Sequence, residues 1–179
     1  MAGDALLAKR ACVAQLLDAL QRCAYFLDSS MARLGWLLDE AWLTARKKDT
    51  ALFETLAAVN ERFAKLQDTL GAAMKHCAVL LAEPDDGFLK VLALFARLGV
   101  VDSIEDWQRC RAARNLAAHD YDTAYAAIAE HFNSLYGLTQ GLLRAADRLV
   151  TLSAERLLIE PASADFAVEF AQLTLTLRP

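Results

Sequence analysis

Glycine, proline and paired cysteines are scarce in this chain, and long uncharged apolar runs are missing altogether. Seven glycines and three prolines in 179 residues, against 56% hydrophobic content, imply packed helices joined by few turns. The length suits one domain with a real core. No stretch of about 18 uncharged apolar residues occurs, which argues against a membrane span. The opening MAGDALLAKR lacks the basic start and long apolar stretch of a signal peptide, so a cytoplasmic location is expected. Cys12, Cys23, Cys77 and Cys110 form no CxxC pair and have no histidine at ligand spacing, which leaves no structural zinc and no disulfide framework. Buried free thiols are the plain reading. A net charge of −4 with pI near 5.4 excludes a general nucleic-acid coat, although a small basic site that handles RNA locally remains compatible.

What the chain does have is period. Leu6, Val13, Leu20, Leu27, Leu34 and Ala41 recur every seven residues, and Leu17, Ala24, Met31 and Leu38 fill the complementary series. That predicts a coiled-coil-like seam across most of residues 4–47. One unbroken helix of that length would reach roughly 65 Å at about 1.5 Å per residue, so a kink is expected near Ser29-Ser30. Arg46, Lys47 and Lys48 suit its C-terminal end, and Asp49 or Thr50 can cap the next helix. There Leu52, Val59, Leu66, Ala73 and Leu80 form one series, and Leu56, Phe63, Leu70 and Cys77 the other. So short a link predicts an antiparallel hairpin.

Residues 83–87 then read as a turn, and a short third helix runs from about Asp86 to Leu98, closed by Gly99. Ser103 opens a fourth, with Asp106 in capping-box position. Tyr125, Ile128, Phe132, Leu135, Thr139, Leu142, Ala146 and Leu149 trace a fifth. The expectation is all-α: an up-and-down bundle of about five helices over residues 1–153, led by a long N-terminal hairpin. Residues 154–179 behave differently. Pro161 interrupts them, and QLTLTL at 172–177 alternates like a strand, either a frayed tail or an edge that pairs with a partner.

Polar chemistry concentrates at RNLAAHDYD, residues 114–122, between the fourth and fifth helices, with Asp120 or Asp122 as the new N-cap. On a continuous helix Arg114 and His119 would diverge by about 140°. They converge only if the chain turns back near Ala118, or if a second copy brings its own pair. Ala112, Ala113, Ala117 and Ala118 would let another helix approach closely. The plainer alternative is that Arg114 and His119 tie the corner to carbonyls and Asp side chains. His76 and His131 stand alone within helices and read as surface or core residues.

Arg114, four residues, His119, one residue and Tyr121 match R-x4-H-x-Y, and the chain here resembles the HEPN superfamily. The wider segment FARLGVVDSIEDWQRCRAARNLAAHDYD is similar to HepT-type toxins and the related nucleotidyltransferase substrate-binding family, through Phe95, Gly99, Asp102, Trp107, Arg114, Asn115, His119 and Tyr121. The resemblance covers roughly residues 4–153; the long first hairpin and the tail depart from it. It implies a metal-independent endoribonuclease that needs no cofactor and acts as a homodimer, with two motifs facing each other across a cleft. The residue chemistry suits that role. RNA carries its own nucleophile in the 2′-hydroxyl, and an imidazole can remove that proton or protonate the leaving 5′-oxygen. A guanidinium can stabilise charge on the phosphate oxygens. Asn115 could orient the phosphate or His119. Arg111 either extends the basic strip for the RNA backbone or is a solvated surface residue. No carboxylate pair or metal-ligand set competes as an active centre.

The resemblance gives Tyr121 its own role, as acceptor of AMP from a small nucleotidyltransferase antitoxin. The expected function is therefore an RNase toxin neutralised by that partner. A catalytically silent subunit that presents a substrate to the nucleotidyltransferase is the alternative.

Overall fold

A computed structural model of the chain describes residues 2–83, 87–116 and 124–177. Every regular element among them is helical: α1 (Ala2–Met31), α2 (Glu40–Ala45), α3 (Thr50–Leu80), α4 (Phe88–Arg97), α5 (Ile104–Leu116), α6 (Tyr125–Leu152) and α7 (Ala167–Leu175). The all-α bundle is as the periodicity predicts, with two more helices than the five expected. No helix among the described residues is long and apolar enough to cross a membrane.

The seam of α1 is real over Val13, Leu17, Leu20, Ala24, Leu27 and Met31, all buried. Its partner is α3, where Leu52, Leu56, Val59, Phe63, Leu66, Leu70, Ala73 and Cys77 face inward. The two helices are antiparallel, since Cys12 lies near His76 at one end and Phe26 and Ser30 meet Arg62 at the other. Asp49 is the cap of α3 and accepts from the Leu52 N–H at 3.1 Å.

A single kinked helix over 4–47 is not what forms. The first helix ends at Met31, and α2 is a separate short element. The break is held by groups that satisfy the last carbonyls of α1. Arg62 donates to the Phe26 carbonyl at 3.0 Å and to Ser30 Oγ, and the Trp36 indole N–H donates to the Met31 carbonyl at 3.0 Å. Leu34 and Leu38 still bury, but from irregular chain, while Leu6 and Ala41, the outer members of the repeat, are exposed. The connection is fastened to α6 by Asn133, whose amide accepts from Leu38 N–H at 2.9 Å and donates to its carbonyl at 2.8 Å. Trp36 stacks on Tyr136 with ring centroids 4.7 Å apart. Asp39 then caps α2, accepting from the Trp42 N–H.

Residues 84–86 of the expected 83–87 turn lie outside the described residues. Helix α4 closes at Gly99, which adopts φ 74°. The Gly99 N–H donates to the Ala96 carbonyl and the Val100 N–H to the Phe95 carbonyl, the double bonding of a Schellman cap. Helix α6 runs parallel to α3, with His131 near Asn60 and Ser153 near Cys77. Its buried positions include Phe132, Leu135, Thr139, Leu142, Ala146 and Leu149. It ends in a π-helical turn, Ser153–Leu157, and Leu158 in the left-handed region at φ 53°.

The strand-like tail is a misreading. Residues 158–166 run along α1, with Arg10 donating to the Leu158 carbonyl, the Ala162 N–H to the Ala14 carbonyl and Ser163 to Asp18. Then α7 folds back over α1 and α6. A strand would have no sheet to join here, whereas a helix turns Phe170 and Thr174, one turn apart, into the core together. Thr174 Oγ1 lies 2.9 Å from Asp147 of α6.

Candidate functional site

The motif arginine is carried by α5, and α5 is fixed at several points. Ser103 caps it: the Asp106 N–H donates to Ser103 Oγ at 2.9 Å, and that hydroxyl donates to Asp106 Oδ2 at 2.7 Å. This is a variant of the expected capping box, in which the carboxylate binds the capping hydroxyl. Just before it, Asp102 accepts from Arg144 at 2.9 Å and Arg148 at 2.5 Å, tying the α4–α5 turn to α6. Partial burial works to raise the Asp102 pKa, but the two guanidiniums outweigh it and hold the carboxyl below its usual value.

The inward face of α5 comprises Trp107, Cys110 and Ala113, all buried. Trp107 packs against Phe88 with centroids 5.6 Å apart. It also lies against α3 at Gly71, where a Cβ would make ordinary contact with Trp107 Cζ2 at 3.5 Å. Gln67 of α3 donates to the Trp107 carbonyl at 3.3 Å. Arg114 follows Trp107 by two turns on the same face. Its side chain is 27% exposed and its guanidinium is paired with the carboxylate of Asp68 on α3.

Of the sequence-derived site residues, the structure places Arg114 on the last turn of α5, half-buried, and Arg111 one turn earlier, exposed. Asn115 belongs to the same helical turn; its side chain, and all of His119, Tyr121, Asp120 and Asp122, lie outside the described residues. The other two histidines are as expected, one on the surface and one partly in the core. His76 is exposed, with Nε2 4.0 Å from Cys12 Sγ. His131 is half-buried with Nε2 3.2 Å from Asn60 Oδ1.

Two of the thiols are buried as expected. Burial pushes Cys77 and Cys110 up to about 11, and it raises Cys23 as well, though Cys12 and Cys23 are only half-buried. Among the described residues, no three His, Cys, Asp or Glu side chains converge as metal ligands would.

The residue that sequence reasoning missed is Asp68. It sits 46 positions before Arg114 on a different helix, and nothing in its neighbourhood marks it. Arg114 itself lines neither the depression of about 130 Å³ between α5 and α6 nor the one of about 430 Å³ between the α4–α5 turn and the end of α6. It stands at the bundle surface. No protein-family model matches this chain, and no curated protein or solved structure is detectably similar to it.

Proposed function

We propose that this chain is a metal-independent endoribonuclease of the HEPN type, the toxin of a pair whose antitoxin is a small nucleotidyltransferase. Arg114 stabilises charge on the phosphate oxygens, and His119 handles the proton of the 2′-hydroxyl or of the leaving 5′-oxygen. Asn115 and Arg111 support the phosphate. The observation that carries the reading is the position of Arg114: it is the part-exposed cation of the last described turn of α5, directly before the segment that holds His119 and Tyr121. A site on an open surface suits a composite centre, in which two protomers of a homodimer close the cleft and the second copy supplies the other acid or base.

The antitoxin acts in the cytoplasm by transferring AMP to Tyr121, adding negative charge and bulk where RNA must enter. Co-expression with that partner is expected to raise the intact mass by multiples of an AMP residue at Tyr121.

The test uses purified full-length chain and single-stranded RNA in EDTA. The wild type cleaves and leaves a 2′,3′-cyclic phosphate, whereas Arg114→Ala and His119→Ala do not, with helical circular dichroism intact in both. Cleavage that persists in His119→Ala would sink the assignment. A wild type that binds the nucleotidyltransferase yet never cleaves RNA would instead identify a silent substrate-binding subunit.

A further inference from the structure

A guanidinium carries five N–H donors in a rigid fork, and a single carboxylate oxygen at Nη1 engages only one part of it. Among the described residues that is the arrangement of Arg114, whose Nη1 is taken by Asp68 Oδ1. We infer that Asp68 is a positioning residue for Arg114, holding the fork so that its remaining donors meet a phosphodiester oxygen in a fixed direction. The inference rests on the ribonuclease reading and adds to it a residue on a different helix.

Three observations carry it. First, the two helices that bring the pair together are locked in register. Gln67, the neighbour of Asp68, donates to the Trp107 carbonyl, and the Trp107 ring lies against Gly71, one turn further along α3. Asp68 therefore cannot slide past Arg114 without disturbing a buried tryptophan that is 4% exposed.

Second, the exposures are unequal. The Arg114 side chain is 27% exposed and that of Asp68 63%. The cation is thus the partner held more closely against the protein. An arginine at a helix end would otherwise spread over many rotamers, and that freedom would have to be lost each time a phosphate bound.

Third, an exposed ion pair of this kind adds little to folding, because solvent screens it and ordering the long arginine side chain offsets the attraction. Its removal is therefore a clean perturbation: the fold stays and the direction of the guanidinium is lost. Misplacement of a group that binds the transition state by about 1 Å can cost on the order of 100-fold in rate, so orientation is where the effect should be found.

The experiment is single-turnover cleavage of a fluorescently labelled, mixed-sequence single-stranded RNA by the full chain. Asp68→Ala is expected to lower the maximal rate at least about tenfold, with the half-saturating protein concentration changed less than about threefold and the thermal midpoint unchanged. Asp68→Glu, which keeps the carboxylate, recovers most of the rate. In an Arg114→Lys background, where no fork remains to be oriented, Asp68→Ala changes the residual rate less than about twofold. Wild-type cleavage by Asp68→Ala, or the same loss in both backgrounds, overturns the positioning role while leaving the ribonuclease reading in place. A wild type that does not cleave, or an Arg114→Ala chain that cleaves normally, removes the ribonuclease reading and the role of Asp68 with it.

Discussion

Replacing Thr174 by valine deletes one hydroxyl from the core and almost nothing else. Both side chains are β-branched and have similar helix propensity, so backbone terms nearly cancel. Thr174 is 0% exposed, and its Oγ1 lies 2.9 Å from Asp147 Oδ1 and 3.0 Å from the Phe170 carbonyl. Asp147 is itself 9% exposed. A hydrogen bond to a buried charged group contributes about 1.5–3 kcal/mol, and its loss should lower stability by that amount. For a chain of this size the melting temperature would fall by about 3–12 °C. Urea denaturation should show a lower midpoint at constant slope. The control is Leu175→Ser, 65% exposed on the next position, expected to change stability by no more than about 0.5 kcal/mol. A strand docked through its leucines would reverse that order, making Leu175 as costly as Leu173 and Thr174 neutral. A Thr174→Val change below about 0.5 kcal/mol refutes the docking of α7 through this pair.

Helical glycines give a second test. Gly137→Ala, with open space at its Cβ position, and Gly71→Ala, where a Cβ would make ordinary 3.5 Å contacts with Phe88 and Trp107, should each stabilise by about 0.5–1 kcal/mol in thermal melts. Loss of stability in Gly71→Ala would mean that Trp107 tolerates no atom between itself and α3. The thiols give a third. At pH 8 a group with pKa near 11 is roughly 0.1% thiolate, so Cys77 and Cys110 should stay unmodified by a thiol reagent in native buffer and react only on unfolding. Rapid reaction of all four cysteines without denaturant would contradict their burial.

The parts of the fold that sequence conveyed are those set by local rules. The α3 repeat from Leu52 to Cys77, the glycine cap at Gly99 and the inward face of α6 each follow from side-chain spacing or from one backbone conformation, and each forms as read. The failures share a cause. The α1 repeat continues through Leu34 and Leu38, and both residues do bury, but Arg62 and Trp36 satisfy the carbonyls of an earlier helix end, and Asn133 pins the chain that follows. Arg62 and Asn133 reach in from distant helices, and Trp36 acts through a local indole bond to Met31, none of which a seven-residue count of apolar positions registers. The tail fails for the same reason. Alternation at 172–177 favours a strand only where a sheet exists, and the groove between α1 and α6 rewards a helix instead.

The candidate site divides along the same line. Arg114 was marked by its spacing to His119 and Tyr121, a local pattern, whereas the group that balances its charge is Asp68, visible only once α3 and α5 are packed. In a chain of net charge −4, a lone exposed cation would gain little from long-range attraction of a polyanion, since the surrounding field opposes it. Recognition of a phosphate by such a protein must then rely on direction, through donors set in place before the ligand arrives. Pairing with Asp68 is consistent with that economy: it removes most of the net charge of Arg114 while preserving the fork. On the proposed reading, Arg111, exposed one turn away, would meet the RNA backbone without a fixed geometry. On that reading the two arginines of one helix would differ in what they offer a phosphate, one a set of donors held by Asp68 and the other an exposed charge.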